Sequence, residues 1–161
     1  MTAADPSRQL LRHSIATLAY RGAKAVHGAP GSFGDFRAHE STRTPGQILA
    51  HIGDLLDWAL SMAEGDQKWH DSKPLAWEKE VDRFFAGLQR LDAYLASGVE
   101  LHASSERLFQ GPVADALTHV GQLNMLRRMA NVPVRGENYF VADIVVGRVG
   151  IEQATPKREF D

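Results

Sequence analysis

Apolar residues recur at every third or fourth position in four stretches of the chain, and this spacing is typical of amphipathic α-helices. The first stretch runs from about Asp5 to Val26, and the second from Thr44 to about Gly65. The third runs from about Pro74 to Ala96, and the fourth from about Val113 to Ala130. Four long amphipathic helices predict an all-α fold in the form of a four-helix bundle.

The first two helices carry strong start signals. Asp5 is followed by Pro6, and a capping residue before a proline at the first helical position favours a helix start. Thr44, Pro45 and Gln47 form a stronger version of this pattern, because a Thr cap with a Gln three residues later predicts a capping box. We therefore expect these two helices to begin at these positions.

The rest of the chain is predicted to be irregular. Residues 99–111 are predicted to be a linker into the fourth helix, and residues 131–161 a mixed C-terminal tail. Within the tail, the stretch from Tyr139 to Val149 favours a short helical turn followed by extended chain, and the last residues are predicted to fray. No repeat or second composition type interrupts the chain. The sequence thus predicts a single domain over residues 1–161, with the bundle at about 5–130.

Composition is that of an ordinary globular protein of 161 residues, 43% hydrophobic and 24% charged. The formal net charge of -2 and the lack of a basic stripe argue against nucleic acid as a partner. No apolar run reaches the roughly 20 residues that a membrane helix needs. The absence of cysteine excludes disulfides, thiolate metal ligands and a cysteine nucleophile. Since the first residues lack a signal-peptide pattern, the sequence predicts a cytoplasmic protein.

Two histidines, His51 and His119, fall inside the apolar stripes of the second and fourth helices. Asp115 precedes His119 by four residues, which places the two side chains about 6 Å apart on one side of a helix. Burying such polar groups costs several kcal/mol unless they are paired or bind a metal. Imidazole nitrogens with a carboxylate oxygen suit zinc, nickel, iron or manganese. The pattern therefore predicts a divalent-metal site at His51, Asp115 and His119, with a metal-free Asp–His hydrogen bond as the alternative.

Other polar residues carry weaker signals. Asp54 and Asp57 point away from the apolar stripe and are predicted to be solvated, although Asp54 also has a possible role in orienting an imidazole. Arg127 and Arg128 suit the negative end of the fourth helix dipole, and one of them has an alternative role in holding an anionic substrate. The remaining histidines are predicted to lie on polar faces, at helix ends or in loops: His13, His27, His39, His70 and His102.

The segments TPGQILAHIGDLLDWAL and THVGQLNMLRR together resemble the DinB/YfiT-like superfamily of small bacterial metal-dependent proteins. The resemblance covers about residues 5–130 and implies an up-down-down-up four-helix bundle that is often homodimeric. It also implies a metal site with one His on the second helix and a His-x-x-x-His pair on the fourth. His51 matches the first ligand and His119, in His-Val-Gly-Gln, the second His of the pair. Asp115 occupies the position of the first His of that pair.

The tail segment RGENYFVADIVVGRVG is not part of the family pattern, and its polar residues leave two interpretations open. In the first, the tail folds back over the mouth of the bundle, and Glu137 or Asp143 supplies a missing ligand or a general base. In the second, the segment with Glu137, Asn138 and Asp143 is a surface turn that caps the fourth helix.

Two classes of function follow. The resemblance implies a metal-dependent enzyme, because characterised members of the superfamily include transferases and isomerases in which the metal activates a low-molecular-weight thiol. A water nucleophile at the same metal would make the protein a hydrolase. The alternative is a non-catalytic dimeric bundle whose metal site is degenerate, with Asp115 in place of the usual His. In both cases we expect a homodimer with neither nucleic acid nor membrane as a partner, and in the enzyme case a small-molecule or thiol substrate.

Overall fold

A computed structural model describes residues 5–161 and shows a mostly helical protein. Within this range the chain forms four long helical stretches and one two-stranded sheet. The fourth stretch is continuous but contains a π-helical turn, so its two α-helical parts have separate labels here. The elements are α1 (Pro6–Val26), α2 (Pro45–Ala63), α3 (Trp77–Ala96), α4 (Ser105–Leu108), the π turn (Phe109–Val113) and α5 (Ala114–Met129).

The predicted starts of α1 and α2 are confirmed. The Asp5 carboxylate accepts a hydrogen bond from the backbone N–H of Ser7 at 3.0 Å, and Pro6 is the first helical residue. The Thr44 hydroxyl accepts from the N–H of Gln47 at 3.2 Å, while the Gln47 side chain accepts from the N–H of Thr44 at 2.9 Å. These reciprocal bonds satisfy backbone donors that the first turn of a helix leaves free.

The start of α3 lies at Trp77 rather than at the predicted Pro74. The cause is a buried carboxylate in the first turn of the helix. Glu80 accepts a hydrogen bond from the backbone N–H of Leu75 at 2.8 Å, and this bond ties the residues before the helix to its first turn. The sequence could not show this, because a hydrogen bond between a helical side chain and the residues before the helix produces no hydrophobic periodicity.

The predicted linker over residues 99–111 is wrong in its second half, because the chain is helical from Ser105 onward. The Ser104 hydroxyl caps this start by accepting from the N–H of Arg107 at 3.3 Å, and Leu108 is buried in the core. Pro112 lies inside the helical stretch, in the π turn. Since proline has no N–H and blocks a regular α-helical bond, the wider π turn lets the helix continue through it.

The four helical stretches enclose one core. α1 and α2 each pack against both α3 and α5. No helix in residues 5–161 is long and apolar enough to cross a bilayer. Burial of each large aliphatic or aromatic side chain contributes about 1.5–3 kcal/mol. The largest fully buried apolar side chains are Ile15, Leu18, Leu49, Ile52, Leu56, Phe84, Leu88, Leu91, Leu95, Leu108 and Leu123.

The C-terminal tail is ordered by a short sheet. Strand β1 (Gly136–Glu137) pairs antiparallel with β2 (Glu159–Phe160), with Glu137 opposite Glu159. A single 3₁₀ turn at Tyr139–Val141 confirms the predicted helical turn in this region. The prediction that the last residues fray is wrong for Glu159 and Phe160, because both are paired with β1.

Candidate metal centre

Three predicted ligands, His51, Asp115 and His119, come together where α2 packs against α5. Nε2 of His51 lies 3.5 Å from one oxygen of the Asp115 carboxylate, and Nε2 of His119 lies 3.4 Å from the other. The two imidazole rings meet edge to face with centroids 4.8 Å apart. One ligand atom from each residue lies within 4.8 Å of the others, so this group could hold a metal ion.

The spacing of the three side chains distinguishes two kinds of contact. Hydrogen bonds between a charged donor and a carboxylate are usually about 2.7–2.9 Å long, and both separations here exceed that range. Two ligand atoms on a tetrahedral zinc ion, each about 2.0–2.1 Å from it, lie about 3.4 Å apart. Each carboxylate-to-imidazole distance is therefore longer than a direct hydrogen bond and close to the spacing of two ligands on one ion. The two distances end on different carboxylate oxygens, and the three ligand atoms lie within 4.8 Å of one another, so a bound ion would draw them closer together.

The orientation of His119 is set by its own helix. Its Nδ1 lies 2.7 Å from Oε1 of Gln122, one turn further along α5. Because an amide oxygen only accepts, Nδ1 is the donor in this contact, and in a neutral imidazole the lone pair is then on Nε2. Metal-binding histidines usually have such an acceptor on the nitrogen that does not bind the metal. The sequence analysis did not identify Gln122, although its position three residues after His119 on a helix could have indicated this contact.

Burial agrees with the predicted placement of the three side chains. The side chains of His51 and His119 are 21% and 13% exposed, whereas that of Asp115 is 46% exposed. The imidazoles thus face protein and the carboxylate lies where the interior meets water. Since the cluster spans this boundary, solvent reaches it without a rearrangement of the helices.

Two hollows flank the cluster. The first, which we call the histidine cavity, has a volume of about 560 Å³ and is lined by residues that include Arg43, Ile48, His51, His119, Met125 and Leu126. The second, the aspartate hollow, has a volume of about 420 Å³ and is lined by residues that include Trp58, Gln110, Gly111 and Asp115. The π turn forms one wall of the aspartate hollow. Nε1 of Trp58 is buried there and has no hydrogen-bond partner among the described residues.

The connection between α2 and α3 covers one side of the site. It carries Trp69, whose ring lies edge to face with His51 at a centroid distance of 5.7 Å and with Trp58 at the same distance. Trp69 itself is 48% exposed. Sequence analysis missed this residue, because a tryptophan in an irregular segment gives no periodic signal.

Asp54 holds this connection against α2. Its carboxylate accepts from the backbone N–H and the hydroxyl of Ser72, at 2.9 and 2.6 Å, and from Arg83 of α3 at 2.6 Å. The prediction that Asp54 is solvated is wrong, since the residue is buried. Burial alone raises the pKa of Asp54, but the hydrogen bonds from Ser72 and Arg83 outweigh it and hold the pKa below its ordinary value.

The arginines at the end of α5 differ in role. Arg127 is buried and donates to the backbone carbonyls of Ala25 and His27 at the end of α1, and to that of Val132. Burial lowers the pKa of its guanidinium. Arg127 therefore joins the ends of α1 and α5, whereas Arg128 is exposed. The other five histidines are exposed, as predicted.

The polar residues of the tail lie outside the cluster of His51, Asp115 and His119. Glu137 is buried and accepts from the hydroxyl of Tyr20 at 2.5 Å and from Lys24 at 2.8 Å, both on α1. Burial and the Glu137 carboxylate raise the pKa of Tyr20. Asn138 caps the 3₁₀ turn, and Asp143 pairs with Lys157, which lowers the pKa of Asp143. Neither tail carboxylate therefore completes the metal site.

Comparisons with models of known protein families, with functionally characterised proteins and with solved structures found no match to this chain. The class of protein that the fold and the site define is accordingly a mostly helical protein with a His/Asp/His group that could hold a metal ion.

Proposed function

We propose that this chain is a divalent-metal-binding protein of the DinB/YfiT-like type, in which His51, Asp115 and His119 hold the ion. One observation supports the proposal above all. Two imidazole nitrogens from different helices lie 3.5 and 3.4 Å from the two oxygens of a single carboxylate. Gln122 adds support, because its amide oxygen accepts from Nδ1 of His119, the nitrogen that does not face the metal site.

The proposed fold is the up-down-down-up four-helix bundle of that superfamily, and the proposed location is the bacterial cytoplasm. The pairwise packing of the helices supports the bundle, since α1 and α2 each contact α3 and α5. The site then lies on the inner faces of α2 and α5, where bundles commonly build metal sites from facing helices.

The proposed activity is metal-dependent catalysis. Three protein ligands leave at least one coordination position open, as in catalytic rather than structural zinc sites. A bound divalent ion would supply Lewis-acid chemistry and lower the pKa of a thiol or a water that joins it. With a thiol the protein is a transferase or isomerase, and with water it is a hydrolase. The histidine cavity, at about 560 Å³, has room for a small-molecule substrate beside the ion.

The first test is metal content. Protein purified without a tag or chelators should contain about one equivalent of zinc, nickel, iron or manganese per chain, measured by mass spectrometry. The variants His51→Ala and Asp115→Ala should each lose the metal while keeping their helical content, because each removes one of three ligands. His13→Ala is the matched control, since His13 is exposed on α1 and lies outside the cluster.

The result that contradicts the ligand assignment is a His51→Ala variant with full metal content. A wild-type protein that neither contains a metal nor takes one up from solution favours the alternative, a non-catalytic dimeric bundle with a degenerate site. The exposure of Asp115 is the observation that favours this alternative, because a carboxylate that is 46% exposed stays hydrated without a metal. The homodimer stays a prediction that sedimentation velocity measures directly.

A further inference from the structure

Among residues 5–161, the charged side chain that lines the histidine cavity beside the two histidines is a cation. Arg43 lines the histidine cavity together with His51 and His119, and no carboxylate lines this cavity within residues 5–161. Arg43 is exposed and forms no ion pair with any described residue. Its guanidinium is therefore available to a ligand.

The backbone fixes where Arg43 enters the cavity. Arg43 immediately precedes Thr44, whose capping-box bonds with Gln47 tie down the first turn of α2. His51 lies on α2 itself, about two helical turns after the Thr44 cap, or about 10 Å along the helix axis. The side chains of Arg43 and His51 line the same cavity of about 560 Å³, which has room for a small molecule between them.

The sign of the field in the cavity follows from the charges. A divalent ion with one carboxylate ligand and two neutral imidazoles has a net charge of about +1, and Arg43 adds another positive charge. Arg127 and Lys24 line a different cavity, together with the carboxylates of Glu137, Glu152 and Glu159. The histidine cavity is thus a positive site that attracts anions.

Besides Arg43 and the two histidines, the cavity is lined by the polar residues Thr42 and Gln122 and by an apolar wall. Ile48 and Leu126 are buried beside the histidines, and Met125 is 61% exposed. An exposed methionine at a cavity is suited to binding hydrocarbon, because its flexible side chain adapts to the shape of a ligand. The lining therefore combines one cation and two neutral polar side chains with an apolar wall.

We propose that the histidine cavity selects small organic anions that have three parts. A metal-binding atom faces His51 and His119, a short hydrocarbon portion packs on Met125 and Leu126, and an oxyanion contacts Arg43. Arg43 is then the residue that determines specificity for the charged end of the substrate. This inference rests on the proposed metal function and names the substrate class for that site.

The test uses two hydroxamates, which bind metals, with zinc-loaded protein. The monohydroxamate of adipic acid ends in a carboxylate, and hexanohydroxamic acid has the same length but ends in a methyl group. The ratio of their dissociation constants, measured by calorimetry, should change about fivefold between wild type and Arg43→Gln, because an exposed charge contact is worth about 1 kcal/mol. Arg128→Gln is the matched control, since Arg128 is exposed on α5 and does not line the cavity; it should leave the ratio unchanged.

The outcomes separate the two proposals. If Arg43→Gln binds both hydroxamates with the wild-type ratio, the role of Arg43 is overturned while the metal site stands. If the protein takes up no zinc, or if the zinc-loaded protein binds neither hydroxamate, the metal function fails and this inference fails with it. Raising the salt concentration should weaken the carboxylate probe more than the methyl-ended probe in the wild type, and an equal loss for both probes would also count against Arg43.

Discussion

Gln122 shows how a single residue prepares a ligand. Its amide oxygen lies 2.7 Å from Nδ1 of His119, and this contact leaves Nε2 free toward Asp115. Both residues are on α5, one turn apart, so the contact forms with the helix itself. The same spacing makes the pair easy to test without disturbing the packing of the core, since Gln122 is exposed.

We expect Gln122→Leu to weaken zinc binding about 10- to 100-fold. Without the acceptor, the His119 ring can rotate and its proton is no longer held on Nδ1. Gln122→Glu should keep wild-type affinity or exceed it, since a carboxylate is also an acceptor. Competition with a coloured chelator measures both constants, and Gln9→Leu, on the exposed side of α1, is the control. Equal affinities for wild type and Gln122→Leu would show that this contact does not prepare the ligand.

Asp54 gives a prediction on pH. Its folded-state pKa lies below the unfolded value of about 3.9, so its contribution to stability is complete above that value and disappears as the pH falls through the folded pKa. Asp54→Asn should lower the free energy of unfolding by about 2–3 kcal/mol at pH 7, since it weakens bonds to Ser72 and Arg83. The difference from wild type should shrink below about pH 4.

Urea denaturation at pH 7 and at pH 3 measures this difference. Asp82→Asn is the control, because the Asp82 side chain is 74% exposed and should change the stability little at either pH. A difference between wild type and Asp54→Asn that is as large at pH 3 as at pH 7 would contradict the assignment of the charge to Asp54.

At the scale of the elements, α2 and α3 meet through a polar contact as well as through the core. The Arg83 guanidinium of α3 lies against the backbone of α2 at Gly53 and donates to the carbonyl of Ala50 and to Asp54. A Cβ atom at Gly53 would lie 2.8 Å from the central carbon of this guanidinium. A larger residue at this position would therefore displace the Arg83 guanidinium from its contacts with Ala50 and Asp54.

Gly53→Ala should lower the free energy of unfolding by about 1 kcal/mol, because the displaced guanidinium loses more than the helix gains from alanine. Gly121→Ala is the matched control. Gly121 is on the exposed side of α5 with no atom near its Cβ position, so this change should raise the stability by about 0.5–1 kcal/mol. Chemical denaturation of both variants measures the sign of each change in the free energy of unfolding. Stabilisation by Gly53→Ala would show that Arg83 moves aside without cost.

At the scale of the whole molecule, the tail is bound to α1 by charge. Buried Glu137 accepts from Tyr20 and Lys24, and Lys24 also contacts Glu159 of the paired strand at 2.8 Å. The same four side chains line an open cavity of about 530 Å³ between α1 and the tail. The tail is therefore part of the folded structure, although it does not reach the proposed metal site.

Glu137→Gln should lower the free energy of unfolding by about 1–3 kcal/mol, because the amide cannot satisfy both Tyr20 and Lys24 as the carboxylate does. Limited proteolysis should then cut the tail between residues 138 and 158 faster than in the wild type. Glu152→Gln is the control, since Glu152 lines the same cavity but is exposed. Equal cleavage rates in the two variants would contradict the role of Glu137.

The sequence by itself determined the features that depend on neighbours within one or two helical turns. It predicted the helices, the caps at Asp5 and Thr44, and the pair of Asp115 and His119, because each of these signals is a local spacing. It failed at the π turn, where Pro112 looks like the start of the fourth helix although the helical stretch begins at Ser105. A continuous helix with an internal proline depends on what the rest of the fold packs against it.

Only the tertiary structure decided which distant residues share the site. His51 reaches Asp115 across 64 positions (115 − 51) because α2 packs on α5, and the sequence pattern offered that contact as a hypothesis only. Trp69 and Arg43 come from irregular segments, where no period shows which way a side chain faces. The burial of Asp54 and Glu137 likewise depends on partners from other elements, since a carboxylate is stable inside a protein only where the fold supplies its donors.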